Sequence, residues 1–263
     1  MFSFFQKKKK EEEIQPQHKQ DELRLTSFDD VLPLAQYFKN ETGVDFDSQL
    51  SILKSKMIAF CSKRSFKGFQ ECLDFVKKDA LLKQELIDYL TTNETYFYRE
   101  YKQIEKLVEN VKATHSDITI LCAPCSTGEE VYSIVIAFLE ANIPHNRFSI
   151  LGIDINQEVI EKAKNAVYNS KNLRNLSQEL IEKYFDFNGS HYILKEFFKS
   201  SVDFRKMNIF DENFSSIGKF DFVFSRNMLI YFDKETKVKA KDILENLLNE
   251  KKNEIFFGHA DLF

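Results

Sequence analysis

Two adjacent glutamates, Glu129 and Glu130, stand where a predicted helix begins, directly after the turn Pro124–Gly128. Acidic side chains at a helix N-terminus repel the pyrophosphate that such a terminus otherwise attracts, but they accept a ligand that has a positive amino group and no phosphate. S-adenosylmethionine is such a ligand. The pattern therefore favours an adenosyl ligand held without a phosphate-binding loop, and the seven glycines of the chain form no G-x-G-x-x-G sequence.

Asp154 is a further candidate binding residue. It lies 26 residues after Gly128, close to the spacing at which an acidic side chain accepts hydrogen bonds from ribose hydroxyls in dinucleotide-binding folds. The alternative interpretation is that Asp154 only caps the helix that follows it. The sequence pattern is compatible with both.

The cysteines suggest a competing chemistry. Cys122 and Cys125 form a C-x-x-C pair at a strand-to-helix junction, which is the setting of thioredoxin-like redox pairs. Against this alternative, Cys122 falls inside the predicted strand rather than at the helix start, and further strand-helix units follow. Cys61 and Cys72 have no ligand-like spacing to that pair, so no metal site is expected. Ser126 lacks the first glycine of a G-x-S-x-G elbow, which argues against a serine nucleophile.

Alternating strands and helices must position these residues. Short β-rich runs recur between helical patterns, which predicts right-handed βαβ units and a parallel sheet with its ligand at the carboxyl ends of the strands. The fold class is therefore α/β, with a Rossmann-like sheet. The predicted strands are 118–123, 148–153, 220–225 and 255–257, and the predicted helices are 129–141, 157–167 and 234–248.

The chain is expected to divide into three parts. Residues 1–26 show no hydrophobic period and should form a flexible tail, and residues 27–92 hold helical patterns that predict an all-helical domain. Residues 93–263 form the α/β domain. Within it, residues 184–205 interrupt the alternation with short strand candidates at 192–194 and 202–204, which predicts a small inserted antiparallel β-subdomain.

Composition and charge exclude several classes of protein. A net charge of -4 over 263 residues argues against a globally basic nucleic-acid binder. No apolar run approaches the ~18 residues that span a bilayer, so we expect no membrane insertion and a cytoplasmic location. One stretch, residues 48–70, differs from the acidic whole because it has no acidic residue and five basic ones: Lys54, Lys56, Lys63, Arg64 and Lys67.

Five blocks of sequence stand in a fixed order along the chain: Thr91–Glu100, Cys125–Ser133, Gly152–Asn156, Phe220–Asp233 and Gly258–His259. Together they resemble the CheR family of chemotaxis receptor methyltransferases, over about residue 27 to the end. The resemblance implies a class I S-adenosylmethionine-dependent methyltransferase with an all-helical N-terminal domain and a small β-subdomain. It further implies that the enzyme esterifies glutamate side chains on the cytoplasmic helices of chemoreceptors and releases S-adenosylhomocysteine.

The same resemblance implies a set of cofactor-binding residues, which are Asn93, Thr95, Arg99, Glu129, Glu130, Asp154, Ile155, Asn208, Ile209, Asn227 and Met228. The first three would lie at the methionine and sulfonium end of the cofactor. The two glutamates would meet its amino group, Glu130 more surely than Glu129. Asp154, Ile155, Asn208 and Ile209 would hold the ribose and the adenine. Asn227 and Met228 would line the transfer site. The plainer alternative for Asn93 and Thr95 is a helix-capping turn.

Arg99 and Tyr231 are the residues expected to act on the reaction itself. A glutamate acceptor has an ordinary pKa of about 4.3, so it is ionised at neutral pH and needs no general base. Alignment and the exclusion of water would then lower the barrier. Arg99 and Tyr231 are therefore expected to orient the cofactor and the carboxylate rather than to exchange protons, although Tyr231 could also be a core-packing residue.

The partner that the resemblance implies is the acidic helical bundle of a chemoreceptor. Lys56, Lys63, Arg64 and Lys67 are expected to bind it, although lysine-rich helix faces also occur where a helix only meets solvent. The enzyme would be recruited from the cytoplasm to membrane-bound receptor arrays. Residues 186–191, which correspond to the family's peptide-binding loop, contain a single glycine, which argues against docking of a C-terminal receptor tether.

Two other functions stay open besides thiol redox chemistry. One is a methyltransferase that acts on nucleic acid or small molecules, and against it the segment Ser225–Met228 replaces the Asn/Asp-Pro-Pro-Tyr motif that methylation of base amino groups requires. The other is a cofactor-binding regulator without turnover. No nucleic-acid partner is expected.

Overall fold

The computed structural model describes residues 26–114, 116–249 and 254–261. The predicted tail, residues 1–26, lies outside this part of the chain except for Thr26. The described helices are α1 (Leu32–Thr42), α2 (Leu50–Lys63), α3 (Phe69–Val76), α4 (Ala80–Leu90), α5 (Tyr101–Lys112), α6 (Glu129–Glu140), α7 (Gln157–Asn165), α8 (Gln178–Tyr184) and α9 (Lys234–Glu245). The described strands are β1 (Ile118–Cys122), β2 (Phe148–Asp154), β3 (Val167–Tyr168), β4 (Phe185–Phe187), β5 (Tyr192–Leu194), β6 (Val202–Lys206), β7 (Phe222–Ser225) and β8 (Glu254–Phe257).

Helices α1 to α4 form a helical unit with its own core. The apolar stripe of α2 is typical: Leu53, Met57 and Phe60 recur at helical spacing and are buried. Gly43 ends α1 in a left-handed conformation (φ 78°), which glycine adopts without the steric cost that a Cβ atom brings. Within the described ranges, no helix combines the length and the apolar character needed to cross a bilayer.

The central sheet has five parallel strands in the order β6-β2-β1-β7-β8. The chain runs outward from β1 through β2 to β6 and then returns to the other side of β1 for β7 and β8. The carboxyl ends of β1 and β7 therefore flank the topological switch point, which is where open α/β sheets bind ligands. The predicted α/β fold with a parallel sheet is confirmed.

A second, antiparallel sheet has the order β3-β5-β4. The small antiparallel sheet is thus present, but the strands differ from the prediction in two ways. Val202–Lys206, predicted within the insert, instead pairs in parallel with β2 in the central sheet. Val167–Tyr168 does not continue a helix but pairs with β5. The sequence could not assign either strand because each pairs with a segment that is 24 or more residues away.

The helical unit rests on the carboxyl edge of the central sheet. On one side, Gln84 of α4 donates a hydrogen bond to the carbonyl of Ile155, after β2, at 2.9 Å. On the other side, the amide of Asp45, between α1 and α2, donates to the carbonyl of Tyr231 at 2.8 Å. The helical unit therefore supplies one wall of a cleft whose floor is the edge of the sheet.

Candidate active site

A cleft of about 350 Å³ opens at the switch point, between the helical unit and the carboxyl ends of β1, β2 and β7. This volume is in the range of small-molecule sites. The residues expected at the cofactor and transfer site that line it are Asn93, Thr95, Arg99, Glu130, Asp154, Ile155, Asn208, Ile209, Asn227, Met228 and Tyr231. Of the residues expected to bind substrate, Lys56 lines the cleft. Glu129, Lys63, Arg64 and Lys67 do not.

Asp154 is the last residue of β2 and is almost completely buried. Its carboxylate accepts hydrogen bonds from the backbone amides of Ser126 and Asn156, each at 3.0 Å. Burial raises the pKa of Asp154 to about 6, although these amide bonds act in the opposite direction. The helix cap is not Asp154 but Asn156, whose side chain accepts from the amide of Val159. Asp154 is thereby left as a residue that ties the glycine turn to β2 and lines the cleft.

Glu130 and Arg226 form a buried ion pair beside the cleft. Oε2 of Glu130 accepts from Nε of Arg226, and Nη1 of Arg226 donates to the carbonyl of Arg99 at 2.7 Å. The other carboxylate oxygen of Glu130, Oε1, is buried without a hydrogen-bond partner. Because a buried acceptor without a donor is costly, this oxygen is the strongest indication that a donor group binds in the cleft.

Glu129 faces away from the cleft. It is fully buried, and its two carboxylate oxygens accept from Oγ1 of Thr127 at 2.6 Å and from Nδ2 of Asn172 at 2.7 Å. Burial raises the pKa of Glu129, while these side-chain hydrogen bonds pull it in the opposite direction. The carbonyl of Asn172 in turn accepts from the amide of Phe97 at 2.9 Å. Glu129 therefore supports the segment that carries Arg99 and does not line the cleft.

Arg99 is presented by a strained segment. Tyr98 and Glu100, on either side of it, adopt left-handed conformations with φ of 56° and 49°. Such conformations are uncommon for residues other than glycine and cost of order 1–3 kcal/mol each, so surrounding contacts must hold them. Oγ of Ser133 accepts from the amide of Tyr98 at 3.0 Å, and the guanidinium of Arg99 lies over the ring of Tyr96. These contacts fix the direction in which Arg99 leaves the backbone.

The segment after β7 carries the expected transfer residues. Asn227 has φ of 59°, a left-handed conformation that asparagine tolerates better than most residues. A 3₁₀ turn, Leu229–Tyr231, follows and brings Tyr231 to the cleft. The buried carboxylate of Asp261 accepts from the amides of Asn227 and Ile230. The segment is therefore held in place by the turn that follows β8.

The expected adenine end of the cleft lies between β2, β6 and the helical unit. Asn208 lines it, but its side-chain amide is already committed, because Nδ2 donates to the carbonyl of Glu41 at 2.7 Å and Oδ1 accepts from Phe210. Asn208 thus joins the helical unit to the cleft wall. Ile155 and Ile209 offer apolar surface there, which suits the faces of a purine ring.

The thiols do not have the environment of a redox pair. Cys122 and Cys125 are buried, and burial raises the pKa of both thiols well above the ordinary value. Reactive thiols need a lowered pKa and access to solvent. The C-x-x-C alternative is therefore disfavoured. In the described part of the chain, no three His, Cys, Asp or Glu side chains are arranged to hold a metal ion.

The basic residues of α2 and the turn after it have different surroundings. Lys56 lines the cleft, and Lys63 and Lys67 are exposed to solvent. The guanidinium of Arg64 is instead paired with Glu85 of α4 and lies over the ring of Phe60, 3.8 Å from its centroid. Of the four residues that the sequence grouped together, Arg64 is therefore the one whose charge is already paired within the described part of the chain.

Sequence reasoning missed several residues of the site. Arg226 could have been found, because it directly follows β7 at the edge where ligand-binding residues collect. Asp261 could not, since a single acidic residue after the last strand has no informative spacing. Asp45, Phe46 and Gln49 line the cleft only because the helical unit docks on the sheet, which no local pattern indicates.

The parallel sheet, the cleft at its switch point and the acidic side chains in place of a phosphate loop are the features expected of an S-adenosylmethionine-dependent methyltransferase. The sequence model of the family described as "CheR methyltransferase, SAM binding domain" matches residues 93–263. The chain therefore belongs to the CheR methyltransferase family. The expected family and the expected cofactor, S-adenosylmethionine, are both confirmed.

Similarity to named relatives extends over most of the chain. A chemotaxis protein methyltransferase of Campylobacter jejuni (strain 81-176) is 38% identical over 243 residues, which cover 92% of this chain and 89% of the relative. One from Borreliella burgdorferi is 32% identical over 250 residues, covering 89% and 88% of the two chains. One from Salmonella typhimurium is 34% identical over 187 residues, covering 68% and 64%. The chain is thus a methyltransferase of chemotaxis.

Proposed function

We propose that this enzyme transfers the methyl group of S-adenosylmethionine to glutamate carboxylates on the cytoplasmic helical bundle of chemoreceptors and thereby sets adaptation. The observation that carries the proposal is the composition of the cleft. Glu130, Arg99 and Tyr231 line it, and no histidine of the described residues does. A cleft without a histidine suits an acceptor that is already ionised, and a glutamate side chain is ionised at neutral pH.

The residues present fit the cofactor. The unpartnered Oε1 of Glu130 can accept a hydrogen bond from the amino group, and the carboxylate of Asp154 can accept from ribose hydroxyls. Ile155 and Ile209 provide apolar contacts for the adenine. When bound, the cofactor supplies a methyl group made electrophilic by the positive sulfur. In this proposal Glu129 supports the site without contacting the cofactor.

Arg99 and Tyr231 would orient the acceptor. A guanidinium holds a carboxylate through two parallel hydrogen bonds, which fixes direction as well as position. The hydroxyl of Tyr231 can donate a third. Neither residue has to exchange a proton, because the acceptor starts as an anion and ends as a neutral ester. Their contribution would be alignment, together with the loss of water when the acceptor fills the cleft.

The two parts of the chain would have different functions. Residues 93–263 would bind the cofactor and carry the transfer site, and residues 27–92 would recognise the receptor. Lys63 and Lys67 are exposed and Lys56 lines the cleft, and together they would form a basic surface that attracts an acidic helical bundle. Recruitment from the cytoplasm to receptor arrays would follow from this contact. A C-terminal receptor tether is not required.

The direct test is a methylation assay with a chemoreceptor cytoplasmic fragment and S-adenosylmethionine labelled in its methyl group. We expect label on glutamates that base releases as methanol, since esters are hydrolysed by base. A matched fragment with the acceptor glutamates changed to glutamine should take up no label. Binding of S-adenosylhomocysteine without any transfer would support a regulator instead, and base-stable label, or label on added nucleic acid, would support another substrate.

The roles of the two orienting residues have their own test. Arg99→Ala should lower kcat about 10- to 100-fold, because misplaced reactants lose alignment. Arg205→Ala is the matched control, since Arg205 is an exposed arginine of β6 that pairs with Asp203 and does not line the cleft. If Arg99→Ala kept both full methylation and full cofactor affinity, Arg99 would have no part in the site.

A further inference from the structure

Asp261 is a buried carboxylate without a positive partner. It lies in the 3₁₀ turn His259–Asp261 after β8, and its side chain is fully enclosed. Among the described residues, no lysine, arginine or histidine forms an ion pair with it. Its acceptor oxygens are instead satisfied by backbone amides: Asn227 and Gly258 donate to Oδ2, and Ile230 donates to Oδ1 at 3.2 Å.

Two of these amides belong to the segment that forms the transfer site. Asn227 needs support because its left-handed backbone is uncommon for a residue with a side chain. Gly258 adds to that support through close contact, since a Cβ atom at this position would lie 2.8 Å from the amide nitrogen of Asn227 and 2.9 Å from Oδ2 of Asp261. The turn after β8 and the segment after β7 therefore fit together without free space.

A carboxylate is the one common side chain that suits this position. It accepts several hydrogen bonds and donates none, whereas an amide of the same shape presents an NH₂ group in place of one oxygen. That group would point at a backbone donor and leave the donor buried without a partner, which costs about 1–3 kcal/mol.

We propose that Asp261 is a positioning residue of the methyl transfer, which fixes the backbone of residues 227–231 so that Asn227 and Tyr231 face the acceptor. The inference rests on the proposed function, because it assigns a task within the same transfer site. Asp261 itself does not line the cleft and touches neither cofactor nor acceptor. It acts only through the amides that it holds.

Asp261→Asn is the informative variant, because it keeps the shape and loses one acceptor. We expect kcat for methylation of the receptor fragment to fall tenfold or more. The affinity for S-adenosylhomocysteine should change less than threefold, because Glu130 and Asp154 stay in place. Hydrogen exchange should show that the segment is less firmly held: the amides of residues 226–231 should exchange at least tenfold faster, while those of β1 are unchanged.

Asp221→Asn is the matched control. Asp221 also accepts a backbone amide, from Thr119 at 2.8 Å, and a side-chain amide, from Asn249 at 2.9 Å, but it lies at the opposite end of β7 from the cleft. This variant should lower stability and leave kcat unchanged. An equal loss of kcat in both variants, or a folded Asp261→Asn protein that keeps kcat within twofold, would overturn the proposal.

A second variant decides the case in which Asp261→Asn does not fold. Gly258→Ala keeps the carboxylate but adds a Cβ atom that would collide with the amide nitrogen of Asn227 and Oδ2 of Asp261. We therefore expect kcat to fall again while S-adenosylhomocysteine still binds. Unchanged kcat in this variant would overturn the proposal. If the wild-type enzyme methylated no glutamate at all, the proposed function would fail, and the hydrogen-exchange result would still report whether Asp261 holds residues 227–231.

Discussion

The Nε atom of Arg226 donates a hydrogen bond to Oε2 of Glu130, and both side chains are more than nine-tenths buried. The same guanidinium donates to the carbonyl of Arg99, so that one group joins the end of β7, the start of α6 and the segment before α5. Buried pairs contribute little net stability, but removing one partner costs about 3–5 kcal/mol. The pair therefore fixes the position of Glu130 in the wall of the cleft.

The two adjacent glutamates should differ sharply in their effect on cofactor binding. Glu130→Gln removes a negative charge from a residue that lines the cleft and has one unpartnered oxygen, so the affinity for S-adenosylhomocysteine should fall about 10- to 100-fold by calorimetry. Glu129→Gln is the matched control, because both of its oxygens are used by Thr127 and Asn172. We expect it to lower kcat through the Arg99 segment and to change affinity less. Equal losses of affinity would contradict this division.

Cofactor affinity should depend on pH through Asp154. Its folded-state pKa of about 6 lies above the ordinary aspartate value, mainly because of burial. Ribose hydroxyls need the ionised carboxylate as acceptor, so the dissociation constant for S-adenosylhomocysteine should rise below about pH 6, by up to tenfold per pH unit. Asp154→Asn should bind weakly with little pH dependence in this range. A wild-type affinity that is flat from about pH 5 to 8 would rule out this role.

The free energy of unfolding should also depend on pH through Asp154, but in the opposite direction from cofactor affinity. Between about pH 4 and 6 the folded protein holds a proton on Asp154 that the unfolded chain has lost, so this residue's contribution to the free energy of unfolding falls as pH rises through that window. Asp154→Asn removes the contribution. Denaturant melts of both proteins at several pH values, compared as a difference, isolate it from the other titrating groups.

Charge on the basic surface should govern receptor binding but not cofactor binding. Lys63→Glu with Lys67→Glu should raise the apparent KM for the receptor fragment about tenfold at low salt, with a smaller effect at high salt, because exposed charges steer association through a screened field. Lys102→Glu with Lys112→Glu is the control, since both lysines are exposed on α5 and do not line the cleft. An unchanged KM would remove the docking assignment.

The rim of the cleft should contribute an apolar contact to the receptor. Ile52 of α2 is 52% exposed and Ile230 is 41% exposed, and both line the cleft. A protein substrate that places a carboxylate in the cleft must cover this rim, so Ile52→Ser should raise its KM about fivefold, which corresponds to about 1 kcal/mol. Val238 of α9, also 52% exposed, lies outside the cleft, and Val238→Ser should have no effect. An equal effect of both substitutions would refute a specific contact.

Much of the fold follows from local patterns. The alternation of apolar runs with helical stripes was enough to predict β1, β2, β7 and the helices between them, because the two periods differ and each element buries its own face. The placement of residues 202–204 in the small sheet and of Val167 in a helix was wrong for the opposite reason. Their pairing partners lie far away in sequence, so only the assembled sheets determine where they belong.

The residues of the site show the same contrast between what local sequence determines and what long-range contacts determine. The sequence by itself determined that Asp154, Glu130 and Asn227 would meet, because a parallel sheet collects the carboxyl ends of its strands at one edge. It could not separate Glu129 from Glu130, since consecutive helix positions point about 100° apart and only the packing around α6 decides which one reaches the cleft. Asp261 and the helical unit enter the site through contacts over long sequence distances. Those contacts are properties of the folded state, and the tertiary structure alone decided them.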